Sequence, residues 1–228
     1  MYSVILPAAG TGSRMKLGYN KLFHKIAKRT IIEHTVAKFV NDIKCKQIIV
    51  VTSDDDVAKM QDLFKDTPRV EVVLGGPTRQ ESVCEALAAV TEDIVMVHDG
   101  ARPLVTSAII DACYDVADSG YAAIAAVTPK DTIKERHPVK IAMVQKTIPR
   151  ERLAIVQTPQ AFPTSVLKKA NELAKNAFLL EFATDDASLV ENHTSVEIKI
   201  VEGDYRNIKF TTPEDIAYFE FMMRRQRD

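Results

Sequence analysis

Ser3-Val4-Ile5-Leu6-Pro7-Ala8-Ala9-Gly10-Thr11-Gly12-Ser13-Arg14-Met15 is the stretch on which the fold turns. The apolar run Val4-Ile5-Leu6 shows no period-two alternation, the pattern of a strand buried on both faces of a parallel sheet. At Pro7 it gives way to a row of small residues. Small residues in succession let backbone approach a ligand closely, and consecutive N–H groups then point at phosphate oxygens. Which nucleotide loop this is follows by elimination. A dinucleotide-binding GxGxxG needs Gly or Ala where Met15 stands, and a P-loop needs Lys followed by Ser or Thr where Gly12 is followed by Ser13-Arg14. What remains is a glycine-rich loop carrying its own cations, Arg14 and Lys21.

Working outward, the same rhythm of buried run and amphipathic stretch repeats. Gln47 to Val51, Val70 to Leu74, Asp93 to Val97 and Ala122 to Val127 read as strands. Thr30 to Val40, Asp55 to Phe64, Arg79 to Val90 and Thr106 to Asp118 carry apolar residues at three-to-four spacing, with Asp, Ser or Thr near the start. Alternation of this kind implies an α/β, Rossmann-like, doubly wound and mostly parallel sheet. Between Lys130 and Arg150 the rhythm breaks. Asp131 to Lys134 and Val139 to Val144 read as two strands joined by Glu135-Arg136-His137-Pro138, a polar hairpin with little core of its own. It is expected to project as an arm toward a second subunit, with a plain surface hairpin as the alternative. Helices near Pro163 to Ala174 and Thr184 to Glu191, a strand Ser195 to Val201 and a helix opened by Thr212-Pro213 complete the chain. With no repeat or linker, residues 1–228 read as one domain with an inserted arm at about 130–150.

Composition sets the class. The chain has 228 residues, 46% hydrophobic and 27% charged, with 30 Lys and Arg against 31 Asp and Glu for a net charge of −1. That length buries a substantial core and excludes a disordered or disulfide-stapled chain. Near-zero charge gives no reason to expect a nucleic-acid or membrane-surface partner, so the partners are expected to be small molecules. Cys45, Cys84 and Cys113 are odd in number and widely spaced, and read as reduced core residues. The N-terminus has no basic leader and no segment approaches a membrane span of about 20 apolar residues, so a cytoplasmic location is expected.

Chemistry is expected beyond the carboxyl ends of the strands, where ligands collect in open α/β sheets. Arg14 and Lys21 suit a triphosphate whose leaving pyrophosphate gathers negative charge, or are solvated surface charges. At the end of the fourth strand, His98-Asp99-Gly100-Ala101-Arg102-Pro103 places Asp99 either to hold Mg²⁺ or to cap the following turn. His98 reads as a packed strand-end histidine. Gly75-Gly76-Pro77-Thr78-Arg79, Thr158-Pro159-Gln160, Thr184-Asp185-Asp186 and Asn207-Ile208-Lys209 are each ordinary as turns or caps, although the third opens a helix whose N–H groups suit an anion.

Taken together, Ala8-Ala9-Gly10-x-Gly12-x-Arg14-Met15 with Lys21, Gly75-Gly76-x-x-Arg79-x-x-Ser82-Val83 and His98-Asp99-Gly100-Ala101-Arg102-Pro103 resemble the nucleotidyltransferases that activate sugar and polyol phosphates. With Asp131-Thr132, Gln157-Thr158-Pro159-Gln160, Thr184-Asp185-Asp186-Ala187-Ser188 and Asn207-Ile208-Lys209, the chain is similar to the 2-C-methyl-D-erythritol 4-phosphate cytidylyltransferase family from about Ser3 to Asp215. The resemblance implies a Mg²⁺-dependent reaction of CTP with methylerythritol phosphate that yields the CDP-linked polyol and pyrophosphate in non-mevalonate isoprenoid synthesis. It implies Arg14, Lys21, Asp99 and Lys209 as catalytic residues, with Asp99 at the metal. Ala8, Ala9, Gly10, Gly12, Gly76, Arg79, Ser82 and Ala101 join Arg14, Lys21, Asp99 and Lys209 at CTP by the same resemblance. Arg102, Thr132, Arg150, Thr158 and Thr184, again with Asp99 and Lys209, match the acceptor pocket, Thr132 and Arg150 reaching into the neighbouring subunit of a homodimer. One departure is Pro77, at a position often acidic in the family. Proline offers the base neither carboxylate nor N–H.

Three rivals stand beside this reading. A ribitol-5-phosphate cytidylyltransferase shares the loop, the fold and much of the acceptor pocket; Ala8-Ala9 and Gly100-Ala101 favour the isoprenoid enzyme. A non-catalytic nucleotide-binding protein is disfavoured by the intact Arg14, Lys21, Asp99 and Lys209. An NAD-dependent oxidoreductase is disfavoured by Met15.

Overall fold

The computed structural model describes residues 1–10 and 18–225. The expected roles of Gly12 and Arg14 therefore lie outside the described residues. In chain order the elements are β1 (Tyr2–Pro7), β2 (Lys25–Ile26), β3 (Arg29–Thr30), α1 (Ile31–Val40), β4 (Cys45–Thr52), α2 (Asp54–Phe64), β5 (Val70–Leu74), α3 (Arg79–Leu87) and β6 (Ile94–Val97). These are followed by α4 (Ser107–Asp118), β7 (Ala122–Val127), β8 (Ile133–Arg136), β9 (Val144–Ile148), β10 (Ile155–Pro163), α5 (Thr164–Asn176), α6 (Asp186–His193), β11 (Ile198–Glu202) and α7 (Pro213–Arg225).

Seven strands form one sheet in the order β11-β7-β10-β6-β1-β4-β5. β1 pairs in parallel with β4 and β6, β4 with β5, and β7 with β11. The alternation of side chains along β1 shows why it has no polar face. Tyr2, Val4 and Leu6 enter a core shared with Phe39 of α1, Met60 of α2, Ile109 of α4 and Phe219 of α7. Ile5 points the other way, into a core shared with Val83 of α3, Leu167 of α5 and Val190 of α6. Both faces are thus covered by helices, which is the doubly wound arrangement expected from the continuous apolar runs.

One strand escapes the sequence reading. β10 lies between β6 and β7 and runs antiparallel to both. It contains Pro159, after a cis Thr158–Pro159 bond, and its pairing with β7 slips between Val156 and Gln160. A proline argues against a central strand because it cannot donate to the ladder. Here it falls within the slipped register, where the ladder is already interrupted, so the strand survives around it.

The hairpin is also shifted. β8 pairs with β9 as Ile133↔Ile148, Lys134↔Thr147 and Glu135↔Lys146, so the second strand lies at 144–148 and not at 139–144. Residues 137–143 are the tip: His137 Nδ1 accepts from the N–H groups of Val139 and Lys140, and the His137 N–H donates to Met143 O. Pro138, with its fixed φ and no N–H, favours the turn over a continued strand. The arm is a two-stranded sheet separate from the main one, and it exposes Val139, Ile141, Met143 and Val144.

Cys45, Cys84 and Cys113 are free thiols; the first and third are buried and Cys84 is half-buried. Burial pushes the thiols of Cys45 and Cys113 up to about 12, so both stay protonated at neutral pH. No helix among the described residues is long and apolar enough to cross a membrane.

The start of α1 is held by a reciprocal cap, in which Thr30 Oγ1 accepts from Glu33 N and the Glu33 carboxylate accepts from Thr30 N at 2.6 Å. Thr30→Ala is expected to lower stability by about 1 kcal/mol, read as a reduced urea midpoint with an unchanged slope.

Candidate active site

Strand ends build the site. β1, β4, β5 and β6 run in parallel, so Pro7, Ser53, Gly76 and Asp99 all arrive beyond the same edge of the sheet. Backbone bonds weld these ends together: Ala8 N donates to Val51 O at 2.7 Å, Gly75 N to Thr52 O at 2.8 Å and Gly100 N to Pro7 O at 3.3 Å. A cavity of about 550 Å³ opens there. β1 lies between β6 and β4 while the chain visits β4, β5 and then β6, so the cavity sits where the strand order reverses.

Lys21 reaches the cavity from a short 3₁₀ turn over Lys21–Phe23. Buried Asn20 fixes that turn. Its Nδ2 donates to Ala8 O and to Asp56 Oδ2, both at 2.9 Å, and its Oδ1 accepts from Leu22 N at 3.1 Å. On the opposite wall Gly76 leaves no room for a side chain, since a Cβ there would stand 2.5 Å from the Glu81 Cβ. Ser82 Oγ donates within hydrogen-bond reach of Gly76 O (3.1 Å) and Thr78 O (2.9 Å), which holds this glycine turn against α3.

Asp99 is the electrostatic centre. It is only 6% exposed, and three cations surround its carboxylate: Lys209 Nζ lies 3.0 Å and Arg102 Nε 3.3 Å from Oδ2, and Arg79 Nε lies 3.7 Å from Oδ1. Burial alone would raise this carboxyl. The charges of Lys209, Arg79 and Arg102 outweigh burial and hold it well below the usual carboxylate range. Lys209 arrives through long-range packing, because Phe210 N donates to Ala101 O at 2.9 Å and the fully buried Phe210 ring stacks edge-on against Phe219. Arg102 is mostly buried, and its Nη1 donates to Asn207 O at 2.7 Å.

Behind Asp99 lies a closed hydrogen-bond chain. Asp99 N donates to Thr158 Oγ1 at 3.0 Å, Thr158 Oγ1 lies 3.1 Å from His98 Nδ1, and His98 Nε2 lies 3.0 Å from Arg102 O. A carbonyl only accepts, so Nε2 carries the proton and Nδ1 accepts from the Thr158 hydroxyl. Burial lowers the His98 pKa to about 4, and the ring is neutral. His98 is packed, as expected, but the packing sets the backbone that presents Asp99.

Of the residues singled out in the sequence, Ala8, Ala9, Gly10, Lys21, Gly76, Arg79, Ser82, Asp99, Ala101 and Lys209 line one cavity. Arg102 and Thr158 stand directly behind it through Asp99. Thr132 and Thr184 are exposed, and so is Arg150, whose Nη1 donates to Lys130 O at 2.8 Å. Within this chain the two arm residues do not join the cavity lining. Ser53, Thr78 and Thr211 also line it and were not singled out for it. Ser53 was available from the rule that placed Asp99, applied to the end of β4. Asp186 was named only within a helix opening; its contact with Arg79, 107 residues away in sequence, had no local signal.

Among the described residues no group of three or more His, Cys, Asp or Glu gathers into a metal cage. The arrangement is cationic, built on one buried carboxylate, and suited to phosphate groups.

Comparison with known proteins places the chain and its fold. The family model for 2-C-methyl-D-erythritol 4-phosphate cytidylyltransferase matches residues 2–225. The chain is 41% identical over 226 residues to the 2-C-methyl-D-erythritol 4-phosphate cytidylyltransferase of Halalkalibacterium halodurans, covering 97% of this chain and 96% of that protein. It is 44% identical to the protein of that name from Bacillus pumilus, covering 99% and 98%. The solved 4-diphosphocytidyl-2C-methyl-D-erythritol synthase of Anaerococcus prevotii superposes with a TM-score of 0.86 at 29% identity, covering 98% of both chains.

Asp99→Asn is expected to destabilise the fold at neutral pH by several kcal/mol, on the order of 3–5, because it leaves the mostly buried Arg102 without its carboxylate and Arg79 with Asp186 alone. The sign with pH follows from the lowered carboxyl. Its stabilisation is present above the ordinary carboxyl value of about 3.9 and is lost as pH falls through the folded value. Urea midpoints of the two proteins should therefore converge on acidification.

Proposed function

The chain belongs to the 2-C-methyl-D-erythritol 4-phosphate cytidylyltransferase family, and on that premise we infer that it joins CTP to methylerythritol phosphate, releasing pyrophosphate and leaving the CDP-linked polyol. The observation that carries this reading is the buried Asp99 carboxylate held among Lys209, Arg102 and Arg79 in the lining of a small-residue pocket.

A phosphate oxygen of the acceptor attacks the α-phosphorus of CTP, and the bond from that phosphorus to the oxygen bridging to the β-phosphate breaks as pyrophosphate leaves. The nucleophile is ionised at neutral pH, so no general base and no covalent enzyme intermediate are required. Catalysis is alignment and charge stabilisation. Lys21 and Lys209 line the pocket and supply positive charge to the phosphates, joined in our reading by Arg14. Ala8, Ala9 and Gly76 admit the nucleoside close to backbone. Pro77 lines the pocket without a carboxylate or N–H, which leaves recognition of the base to neighbouring backbone and to Ser82.

Mg²⁺ belongs to the same proposal. Asp99 Oδ1 stands 3.7 Å from Arg79 Nε, beyond hydrogen-bond distance, and keeps lone pairs for a cation. One carboxylate with substrate phosphates is a usual Mg²⁺ donor set. Asp99 would hold the ion, which when bound neutralises charge on the phosphates.

The acceptor pocket is read as shared between two subunits. An isolated two-stranded hairpin is marginal in water, and this one exposes Val139, Ile141 and Met143 at its tip. A homodimer covers those residues and delivers Thr132 and Arg150 to the neighbouring site. A cytoplasmic reaction is part of the same reading, supported by the use of two charged, water-soluble phosphorylated substrates.

Pyrophosphate release from CTP and Mg²⁺, with methylerythritol phosphate and ribitol 5-phosphate offered separately, tests the assignment. Release with the first alone is expected. Preference for ribitol phosphate would keep the chemistry and change the acceptor; no release with either would leave a binding protein. For the shared site, Lys21→Ala and Arg150→Ala are each expected to be nearly inactive, the former by about 3–4 kcal/mol of lost transition-state stabilisation. Mixed after subunit exchange, each heterodimer should regain one intact site, and absence of recovery after verified exchange would refute the shared pocket.

A further inference from the structure

Asp186 is a fully buried carboxylate in the first turn of α6. Its Oδ2 accepts from Arg79 Nη2 at 2.7 Å. The helix does not need it as a cap. Asp185 already caps α6, with Oδ1 accepting from Ser188 N at 2.9 Å and the Ser188 hydroxyl returning toward Asp185 N at 3.4 Å. Nor is the ion pair arranged for stability alone, since Asp186 Oδ1 and Arg79 Nη1 are both buried without a hydrogen-bond partner. A buried pair that leaves groups unsatisfied on both sides is generally no better for stability than an apolar pair of similar size.

The position of the pair gives it another use. Arg79, the first residue of α3, lines the nucleotide cavity and places its Nε 3.7 Å from Asp99. Its far end is held by α6. The start of α6 is in turn fixed to β10: Gln160 Nε2 donates to Asp185 Oδ2 at 2.7 Å and Gln160 Oε1 accepts from Ala187 N at 3.0 Å. β10 also carries Thr158, which accepts from Asp99 N. The guanidinium therefore spans from the nucleotide wall to the segment that carries Thr184.

We propose that Asp186 is a positioning residue for the transfer: by holding Arg79 between Asp99 and the start of α6, it couples occupation of the CTP half of the pocket to affinity in the acceptor half. This rests on the cytidylyl-transfer reading above. Binding coupling is reciprocal, so CTP tightens the acceptor by the same factor by which the acceptor tightens CTP.

The test measures methylerythritol phosphate binding by calorimetry with and without a CTP analogue whose α and β phosphorus atoms are bridged by methylene, which cannot transfer. The unaltered protein is expected to bind the acceptor on the order of tenfold tighter when the analogue is present. Asp186→Asn should bring that ratio close to one and lower kcat, and because the coupling is reciprocal it should raise the KM for CTP at saturating acceptor by a similar factor while leaving CTP binding to the free protein little changed. Arg79→Gln should do the same to the ratio, and the double variant should lose no more than Asp186→Asn alone. Arg79→Lys, which keeps the charge but not the fork, tests the same link should Asp186→Asn fail to fold, and its ratio should also approach one. An unaltered protein without coupling, a folded Asp186→Asn or Arg79→Lys that keeps it, or additive effects in the double variant would each overturn the inference. Pyrophosphate release by the unaltered protein is scored separately, so loss of the coupling claim is distinguishable from loss of the transferase assignment.

Discussion

The carboxylate of Asp99 is the constraint on which the site depends. A buried carboxylate is costly to desolvate, and three cations offset that cost only if they approach from fixed directions. Those directions come from three parts of the chain: Arg79 from the start of α3, Arg102 from the turn after β6, and Lys209 from the segment before α7. Each cation has a tether of its own. Arg79 is held by Asp186, Arg102 by Asn207 O, and Lys209 by the packing of its neighbour Phe210. Removal of the central charge would leave like charges facing one another across the pocket floor.

The same arrangement explains how a pocket rich in cations, and suited to phosphate, holds its shape. Cations gathered without a counter-charge repel one another, and Asp99 balances part of that repulsion in the free protein. When substrate oxygens arrive, they meet donors already oriented, so little reorganisation is needed at the moment of reaction. The neutral His98, locked between Thr158 and Arg102 O, serves this end from behind, since it fixes the backbone that presents both Asp99 and Arg102.

The arm illustrates a different constraint. Its strands pair only with each other, and its tip exposes apolar residues that the sheet cannot reach. The exposed Thr132 and Arg150 do not line the cavity of this chain, which is why the proposed acceptor pocket is read as shared with a second subunit.

Much of this was legible in the sequence because it is local. Strands buried on both faces appear as unbroken apolar runs, helix starts carry their caps, and the turn after a parallel strand marks a ligand site wherever it falls. Those rules identified β1, β4 to β7 and the place of Asp99 at a strand end, and resemblance added Lys209 and Arg79 to the pocket. The antiparallel β10 was missed because Pro159 argues against a strand, and only the slipped register seen in three dimensions makes room for it. The arm's second strand was displaced because the bonds from His137 that set its turn leave no periodic signal. Residue types and their spacing determined the layered fold, the strand ends at which the cavity opens and the family. Tertiary structure decided which charges meet: the Arg79–Asp186 pair joins positions 107 apart, and the strength of a buried charge contact depends on distance and desolvation, neither of which is written in the order of residues along the chain.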